Sequence, residues 1–480
     1  MADYYFDGDN GNDTTGSGTS GSPYKSIKTS TVGGAFNPAN ARFFIKRGTT
    51  VLVSAEIHPQ GSFYIGPYGD SDAEARVVYN YGGSYFLAVG GAAASTDTIE
   101  FSDLTLQDDN LASYAAAVFQ KSSSGSGKIV VTNCKIYDFM NAVQTQRGTG
   151  HQIIGNEILR FRNCGVIMEH TTVAAPSNCL IADNYIDARL ADGTVASNDC
   201  IVLHAGASNG AGNIVRNNTL VAGVESCVDV ATQYPGTLIE NNVCYARYNS
   251  TSTSWTDIYC AGANSIINGN LIFANYRIGI QLAASSIEVC NNIIRSSEGY
   301  GNSPLIYAWT GATSANIHNN FLIGRAGYNS AMFLVDTGIV PGKYYNNYHL
   351  NYSAASLVRM LTFGTAADVP SWVINNNRYT MMPGSSATPF YGGQTFAQWQ
   401  ARAGSPDANS STDTTRRLIM PDYLSLGKKF DMKKIFSIQA SNSLVAAGKH
   451  LKYCRDLNGR QFWNPPSIGP VEYMRTRTAR

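Results

Sequence analysis

The sequence predicts an all-β fold, a single-stranded right-handed parallel β-helix, and three observations carry that prediction. An asparagine-anchored motif recurs through the middle of the chain, a second segment of alternating apolar residues follows each copy, and long amphipathic helices are lacking.

The first motif is an Asn, often doubled, followed within three residues by an apolar residue. Its nine copies are Asn133-Cys134-Lys135-Ile136, Asn156-Glu157-Ile158, Asn184-Tyr185-Ile186, Asn218-Thr219-Leu220, Asn242-Val243, Asn270-Leu271-Ile272, Asn292-Ile293-Ile294, Asn320-Phe321-Leu322 and Asn347-Tyr348. The steps between them are 23, 28, 34, 24, 28, 22, 28 and 27 residues. A fixed anchor at variable spacing describes coils of similar cross-section whose loops differ in length. At a tight corner Asn tolerates the left-handed backbone region, and stacked amides on successive coils can bond to one another. Asp103 and Asn377 extend the series by 30 residues each way, so the regular region is expected from about Val51 to about Tyr379.

The second segment reads Ala142-Val143-Gln144-Thr145-Gln146, Gly165-Val166-Ile167-Met168-Glu169, Cys200-Ile201-Val202-Leu203-His204 and Cys227-Val228-Asp229-Val230-Ala231. It continues as Asp257-Ile258-Tyr259-Cys260-Ala261, Gly279-Ile280-Gln281-Leu282-Ala283 and Leu305-Ile306-Tyr307-Ala308-Trp309. A period of two places Val143, Val166, Ile201, Val228, Ile258, Ile280 and Ile306 inward. The residues between them are expected to face solvent in two parallel columns.

Of the 480 residues 44% are hydrophobic and 14% charged, enough to bury a large core without a partner. A formal charge of +1 supplies no field that would draw the chain to nucleic acid or an anionic membrane. The N-terminal residues lack the basic start and apolar stretch of a secretory signal, and no window is apolar enough to span a bilayer, so a soluble product made in the cytosol is expected. Eight of the nine Cys lie between Cys134 and Cys290 at apolar repeat positions, without paired zinc-site spacing. They read as reduced core thiols.

Both ends resemble segments of known proteins. Asp3-Tyr4-Tyr5-Phe6-Asp7-Gly8-Asp9-Asn10-Gly11-Asn12-Asp13, with Gly18-Thr19 and Pro23-Tyr24-Lys25-Ser26-Ile27, resembles the opening cap of many polysaccharide-active parallel β-helix proteins of the pectate-lyase-like superfamily. Phe396, Trp399, Gly404, Asp407, Asn409 and Ser410, then Ser443–Gly448, Asp456–Arg460 and Ile468–Tyr473, resemble a C-terminal segment of that superfamily. The division expected is a cap over 1–50, a β-helix over 51–385 and a C-terminal segment over 386–480. The resemblance is specific for architecture and spans lyases, hydrolases, epimerases and bacteriophage tailspikes. Within it the chain is most similar in kind to a tailspike or capsule depolymerase, which implies a bacterial polysaccharide as ligand and a homotrimer. It further implies a place on the virion after synthesis in the host cytoplasm, and phage tail or baseplate proteins as partners. A secreted polysaccharide lyase and a non-catalytic carbohydrate-binding spike are the alternatives.

Chemistry is expected on the outward columns. Gln146, Glu169 and His204 fall on successive coils, and Asp229 follows diagonally beside His204. With coils about 4.8 Å apart, Glu169, His204 and Asp229 meet as candidate catalytic residues. Arg147 and His170 stand at the edge, and Tyr259, Gln281, Tyr307 and Trp309 are candidate sugar contacts, since aromatic faces stack on pyranose rings and amides bind hydroxyls. In a hydrolase Glu169 and Asp229 would serve as acid and base or nucleophile, with no cofactor. In a lyase His204 or Tyr259 would take the proton beside a uronate carboxylate and Arg147 would neutralise it, with Asp199, Asp229 and Glu169 available to Ca²⁺. The linear sequence displays no acidic cluster of the pectate-lyase kind, which ranks hydrolysis first.

Three other groups carry simpler readings. Asp7, Asp9 and Asp13 have oxygen-ligand spacing for Ca²⁺ within a turn-forming stretch, and the turn is the commoner use. Gly125-Ser126-Gly127-Lys128 precedes strand residues and reads as a loop, not a phosphate cradle. Asp187, Arg189 and Asp192 occupy the insertion behind the 34-residue step, as a groove wall or as a solvated charged loop.

Overall fold

The computed structural model describes residues 1–28, 39–80, 85–89, 97–109, 116–120, 127–169, 175–189, 199–204, 209–222, 224–246, 256–274, 278–296, 303–324, 330–351, 359–381, 389–402 and 404–414. The chain is a right-handed parallel β-helix, and its contacts divide it into two compact units, Met1–Pro235 and Gly236–Arg480.

A coil of the first unit shows the plan: Lys128–Thr132 runs in the first sheet, Lys135–Tyr137 in the second and Asn141–Thr145 in the third. Each strand pairs in parallel with its equivalent one coil on, so Val131 lies beside Ile153 and Ile136 beside Ile158. In-register stacking of β-branched residues fills the interior, and Val143, Val166, Ile201 and Val228 are fully buried, as expected. Each such side chain contributes about 1.5–3 kcal/mol by leaving water. Gly165 permits the tight approach of one coil to the next, because a Cβ there would stand 2.7 Å from the Cys200 carbonyl oxygen.

The second unit repeats the plan from Leu238–Glu240, Val243–Ala246 and Thr256–Cys260 onward. Ile258, Ile280 and Ile306 are fully buried, and aromatic stacks such as Phe321 on Tyr348, 4.8 Å between centroids, join the core.

The corner between the first and second sheets separates two jobs that the sequence reading gave to one Asn. The left-handed residue is the first of the pair: Asn133, Gly155, Asp183 and Asn217 in the first unit, and Asn241, Gly269, Asn291, Asn319, Asn346 and Asn376 in the second. The stacked amide is the residue after it. Asn156 donates from Nδ2 to Asn184 Oδ1 at 3.0 Å and to the Val131 carbonyl at 2.9 Å. In the second unit Asn242, Asn270, Asn292, Asn320, Asn347 and Asn377 repeat the pattern. Asn133 is therefore a turn residue, and Cys134 occupies the stacking position of its coil, donating its backbone N–H to Asn156 Oδ1. The frequent doubling of Asn is the trace of both jobs.

The second unit's ladder ends on Asp407. Asn377 Nδ2, Trp399 Nε1, the Tyr379 hydroxyl and the Ser410 hydroxyl all donate to its buried carboxylate. Trp399 is carried by the helix Phe396–Gln400, which Thr395 and Gln398 close with a capping box. The Phe396–Ser410 motif thus terminates the amide stack, and Ser411–Asp413 adds a strand beside Arg378–Met381. Parallel pairing extends past the bounds expected for the regular region at both ends, since Ala39–Lys46 already pairs with Gln60–Tyr68. The segments 443–448, 456–460 and 468–473 lie outside the described residues.

The eight Cys from 134 to 290 are free and buried. Asp7 and Asp13 serve turns: Asp7 Oδ1 accepts from the Asp9 and Asn10 N–H groups while Oδ2 takes Lys46 Nζ, and Asp13 accepts from Lys25, Ser26 and Lys28. Lys128 opens a strand; Gly125 and Ser126 before it lie outside the described residues. Asp187 is buried and paired with Arg189 and the Tyr185 hydroxyl, an internal ion pair; Asp192 lies outside the described residues.

Candidate functional site

The third sheet of the first unit positions the candidate residues. Cys164–Glu169 pairs with Asp199–His204 so that Glu169 lies directly beside His204, and Val202 lies beside Asp229 on the strand Val228–Val230. Gln146 follows Thr145, which pairs with Met168, and so heads the same column as Glu169 and His204. Asp229 stands one coil on from His204 and two residues back. The Cα of Asp229 is then about 8 Å from that of His204 and about 12 Å from that of Glu169, given strand spacings of ~4.8 Å and a rise of ~3.3 Å per residue.

The columns differ in character. His204 is exposed and Glu169 half-exposed, but Ile167 and Val202, expected in solvent, are only 6% and 5% accessible. They pack with Cys164 into an apolar cluster on the sheet's outer side. Outward does not mean wet here: an outward apolar pair covers itself when neighbours stack in register.

Asp229 belongs to the Ile167–Val202 column; the residue is half-exposed, but its Oδ1 is buried. Burial pushes its carboxyl up to about 6, against a lowering influence from His204, with Glu225 adding to the rise. No donor among the described residues reaches its buried Oδ1. Asp199 is nearly buried, and burial, then the charge of Asp229, push it up to about 8. Its Oδ1 accepts the Ser226 N–H at 2.6 Å, as Asn141 Oδ1 accepts the Cys164 N–H two coils earlier, so it fills a turn position that an amide can also fill. A hydrogen bond links it to Glu225. Two carboxyls joined that way share a proton.

Asp199, Glu225 and Asp229 therefore form an acidic group that the linear sequence conceals. Glu225 was overlooked because it sits in the turn before the strand, where only register reveals its neighbour. Tyr234 was overlooked as well: its buried hydroxyl donates to the Met168 carbonyl at 2.8 Å and fixes the strand just before Glu169.

Of the remaining candidates, Gln146 and Arg147 are half-exposed beside this column, and the Arg147 carbonyl accepts from His151 Nε2 at 2.7 Å. His170 lies outside the described residues. In the second unit Tyr259, Gln281 and Tyr307 form one register column, with Gln281 Oε1 accepting from the Thr256 hydroxyl at 2.9 Å. Trp309 is 38% exposed. As to metals, the one group of three described His, Cys, Asp or Glu side chains whose ligand atoms all lie within 4.8 Å of one another is Glu288, Cys290 and His318. Asp199, Glu169 and Asp229 do not meet that spacing.

No protein-family model matches the chain, and no curated protein matches it either. Solved structures share its fold. Pectate lyase Pel9A is 12% identical with a TM-score of 0.41, covering 99% of this chain and 97% of its own. The surface adhesin PfbA of Streptococcus pneumoniae is 11% identical with a TM-score of 0.47, covering 65% and 83%. Dettilon tailspike protein is 14% identical with a TM-score of 0.39, covering 69% and 63%.

Proposed function

We propose that the chain binds and depolymerises a bacterial surface polysaccharide by hydrolysing its glycosidic bonds, with Asp229, Glu169 and His204 carrying the chemistry. One observation carries the reading: a carboxyl pushed up to about 6 by burial stands beside an exposed histidine whose in-register neighbour is a half-exposed carboxylate. Environments that separate two carboxyls in this way assign acid and base.

In this mechanism protonated Asp229 donates to the glycosidic oxygen as the bond to the anomeric carbon breaks. Glu169 removes a proton from the attacking water on the opposite side. His204, lying between the two, exchanges protons with Asp229 between turnovers and is a positioning group for the water. Two coil spacings between acid and base leave room for that water, which favours the inverting course, whose carboxyls stand about 6.5–9.5 Å apart. Gln146 and Arg147 bind hydroxyl or carboxylate groups of the polymer. In the second unit Tyr259, Tyr307 and Trp309 offer sugar-stacking faces of their own, while Gln281 is buried and holds the Thr256 hydroxyl.

The acidic group of Asp199, Glu225 and Asp229 favours a second reading, β-elimination on a uronate polymer, with His204 as base and Arg147 on the carboxylate. Hydrolysis ranks first because a proton donor near neutrality is already in place and the three carboxyls lack a common cation's spacing. Assembly as a tailspike-like homotrimer on a phage particle accords with the buried free thiols, which suit folding in a reducing cytosol.

The test is incubation with a panel of capsular and exopolysaccharides, followed by mass analysis of the fragments. Fragments that each gain one water support hydrolysis, and unsaturated ends establish elimination instead. Polymer bound but uncut would leave a non-catalytic spike and overturn the proposal.

A further inference from the structure

The group in the second unit, Glu288, Cys290 and His318, was not singled out by the sequence, which offers no spaced pair of ligands. The coil length brings them together: Cys290 and His318 are cross-strand partners in the first sheet, 28 residues apart, and Glu288 lies two residues from Cys290 on the same face. Val289 between them points to the core. Cys290 is thus an outward-column residue and not a core thiol like Cys244 or Cys260, although only 4% of it is accessible.

The hydrogen bonds of His318 define the chemistry. Nδ1 is 3.2 Å from Asn319 Oδ1, and Nε2 is 2.8 Å from Glu288 Oε1. Asn346 Nδ2 donates to the same Asn319 oxygen, so that oxygen is an acceptor and His318 Nδ1 carries the hydrogen. Nε2 then faces the Glu288 carboxylate oxygen, two electron-pair donors turned toward one point, the arrangement a cation requires. The Nδ1–H bond to Asn319 is the kind of outer bond that fixes the tautomer of a metal-ligating imidazole. Tyr345 stacks on the ring at 5.1 Å and 13°, which holds its plane.

We propose that Glu288 Oε, Cys290 Sγ and His318 Nε2 bind one transition-metal ion, with Zn²⁺ the physiological cation. Thiolate and imidazole favour Zn²⁺ over Ca²⁺ or Mg²⁺, and the three ligand atoms, already within 4.8 Å of one another, close to Zn²⁺ bond lengths of about 2.0–2.3 Å by small side-chain rotations. The fourth tetrahedral position falls to water on the side of Glu288, whose side chain is 32% exposed. Binding releases the Cys290 thiol proton, now donated to Asn268 Oδ1 at 3.4 Å. The ion bridges two adjacent coils of the sheet. Its role is structural, independent of the hydrolysis proposed above.

The test is titration of the chelator-treated, reduced, folded protein with Co²⁺, followed by competition with Zn²⁺. The expected result is one Co²⁺ per chain with a thiolate-to-cobalt charge-transfer absorption, displaced by Zn²⁺, absent in Cys290→Ser. Glu288→Gln, a surface change, should bind at least about 10-fold more weakly, the scale on which even outer-shell changes act. Absence of the charge-transfer band in the folded wild type overturns the site, as does an unchanged band in Cys290→Ser. Should Cys290→Ser not fold, unaltered affinity in Glu288→Gln overturns it equally.

Discussion

The carboxyls of Asp199 and Asp229 are both held well above their ordinary value. Both are raised by burial, so each takes up protons in the folded chain at a pH where the unfolded chain has released them. Stability is then greatest below the unfolded value of 3.8 and falls as pH rises, up to about 8 for Asp199. Asp199→Asn keeps the acceptor for the Ser226 N–H and removes the buried charge. Thermal unfolding should show the variant matching the wild type at pH 3.5 and melting higher at pH 9; a lower melting temperature at pH 9 would refute the assignment. Asp229 as general acid predicts a complementary profile in catalysis. Turnover should decline as pH rises through about 6, because only the protonated form donates. A rate that instead rises through that range would assign Asp229 to the base.

At the scale of the element, the amide ladder does what core packing cannot: it fixes which coil lies on which. Asn270 donates to the Ile239 carbonyl and to Asn292 Oδ1 while accepting both the N–H and the Nδ2 of Asn242. Asn270→Ala strands those partners in a dry corner and should cost about 3 kcal/mol, measurable by urea unfolding. At the ladder's end Asp407 is raised by burial and opposed by four donated hydrogen bonds. Asp407→Asn turns an NH₂ toward donors and should cost about 1–3 kcal/mol, despite its equal size. Much of this was legible in the chain. The Asn-Asn doublets and the period of two gave the sheets and the inward column from Val143 to Ile306. What stayed illegible were partners drawn from turns and from neighbouring coils. Glu225 meets Asp199, and His318 meets Cys290, only because particular loop lengths bring them level. The dry outer cluster of Cys164, Ile167 and Val202 likewise needed the register, since Ile167 and Val202 alone read as ordinary outward positions and Cys164 as a core thiol.

For the whole molecule, the two units share one plan and burial of the thiols is common to both. In the native state a thiol reagent should modify none of the eight described Cys, and all eight should react after denaturation without reductant; a need for reductant would reveal disulfides. The central claim concerns the outer face of the first unit's third sheet. It is tested most directly on whichever polysaccharide the wild type cuts, by comparing Glu169→Gln and Asp229→Asn in turnover and in polymer binding. Loss of about 10²–10⁴-fold in turnover for each variant, with binding retained, is the predicted result for a missing acid or base. Wild-type turnover in either variant would contradict the account.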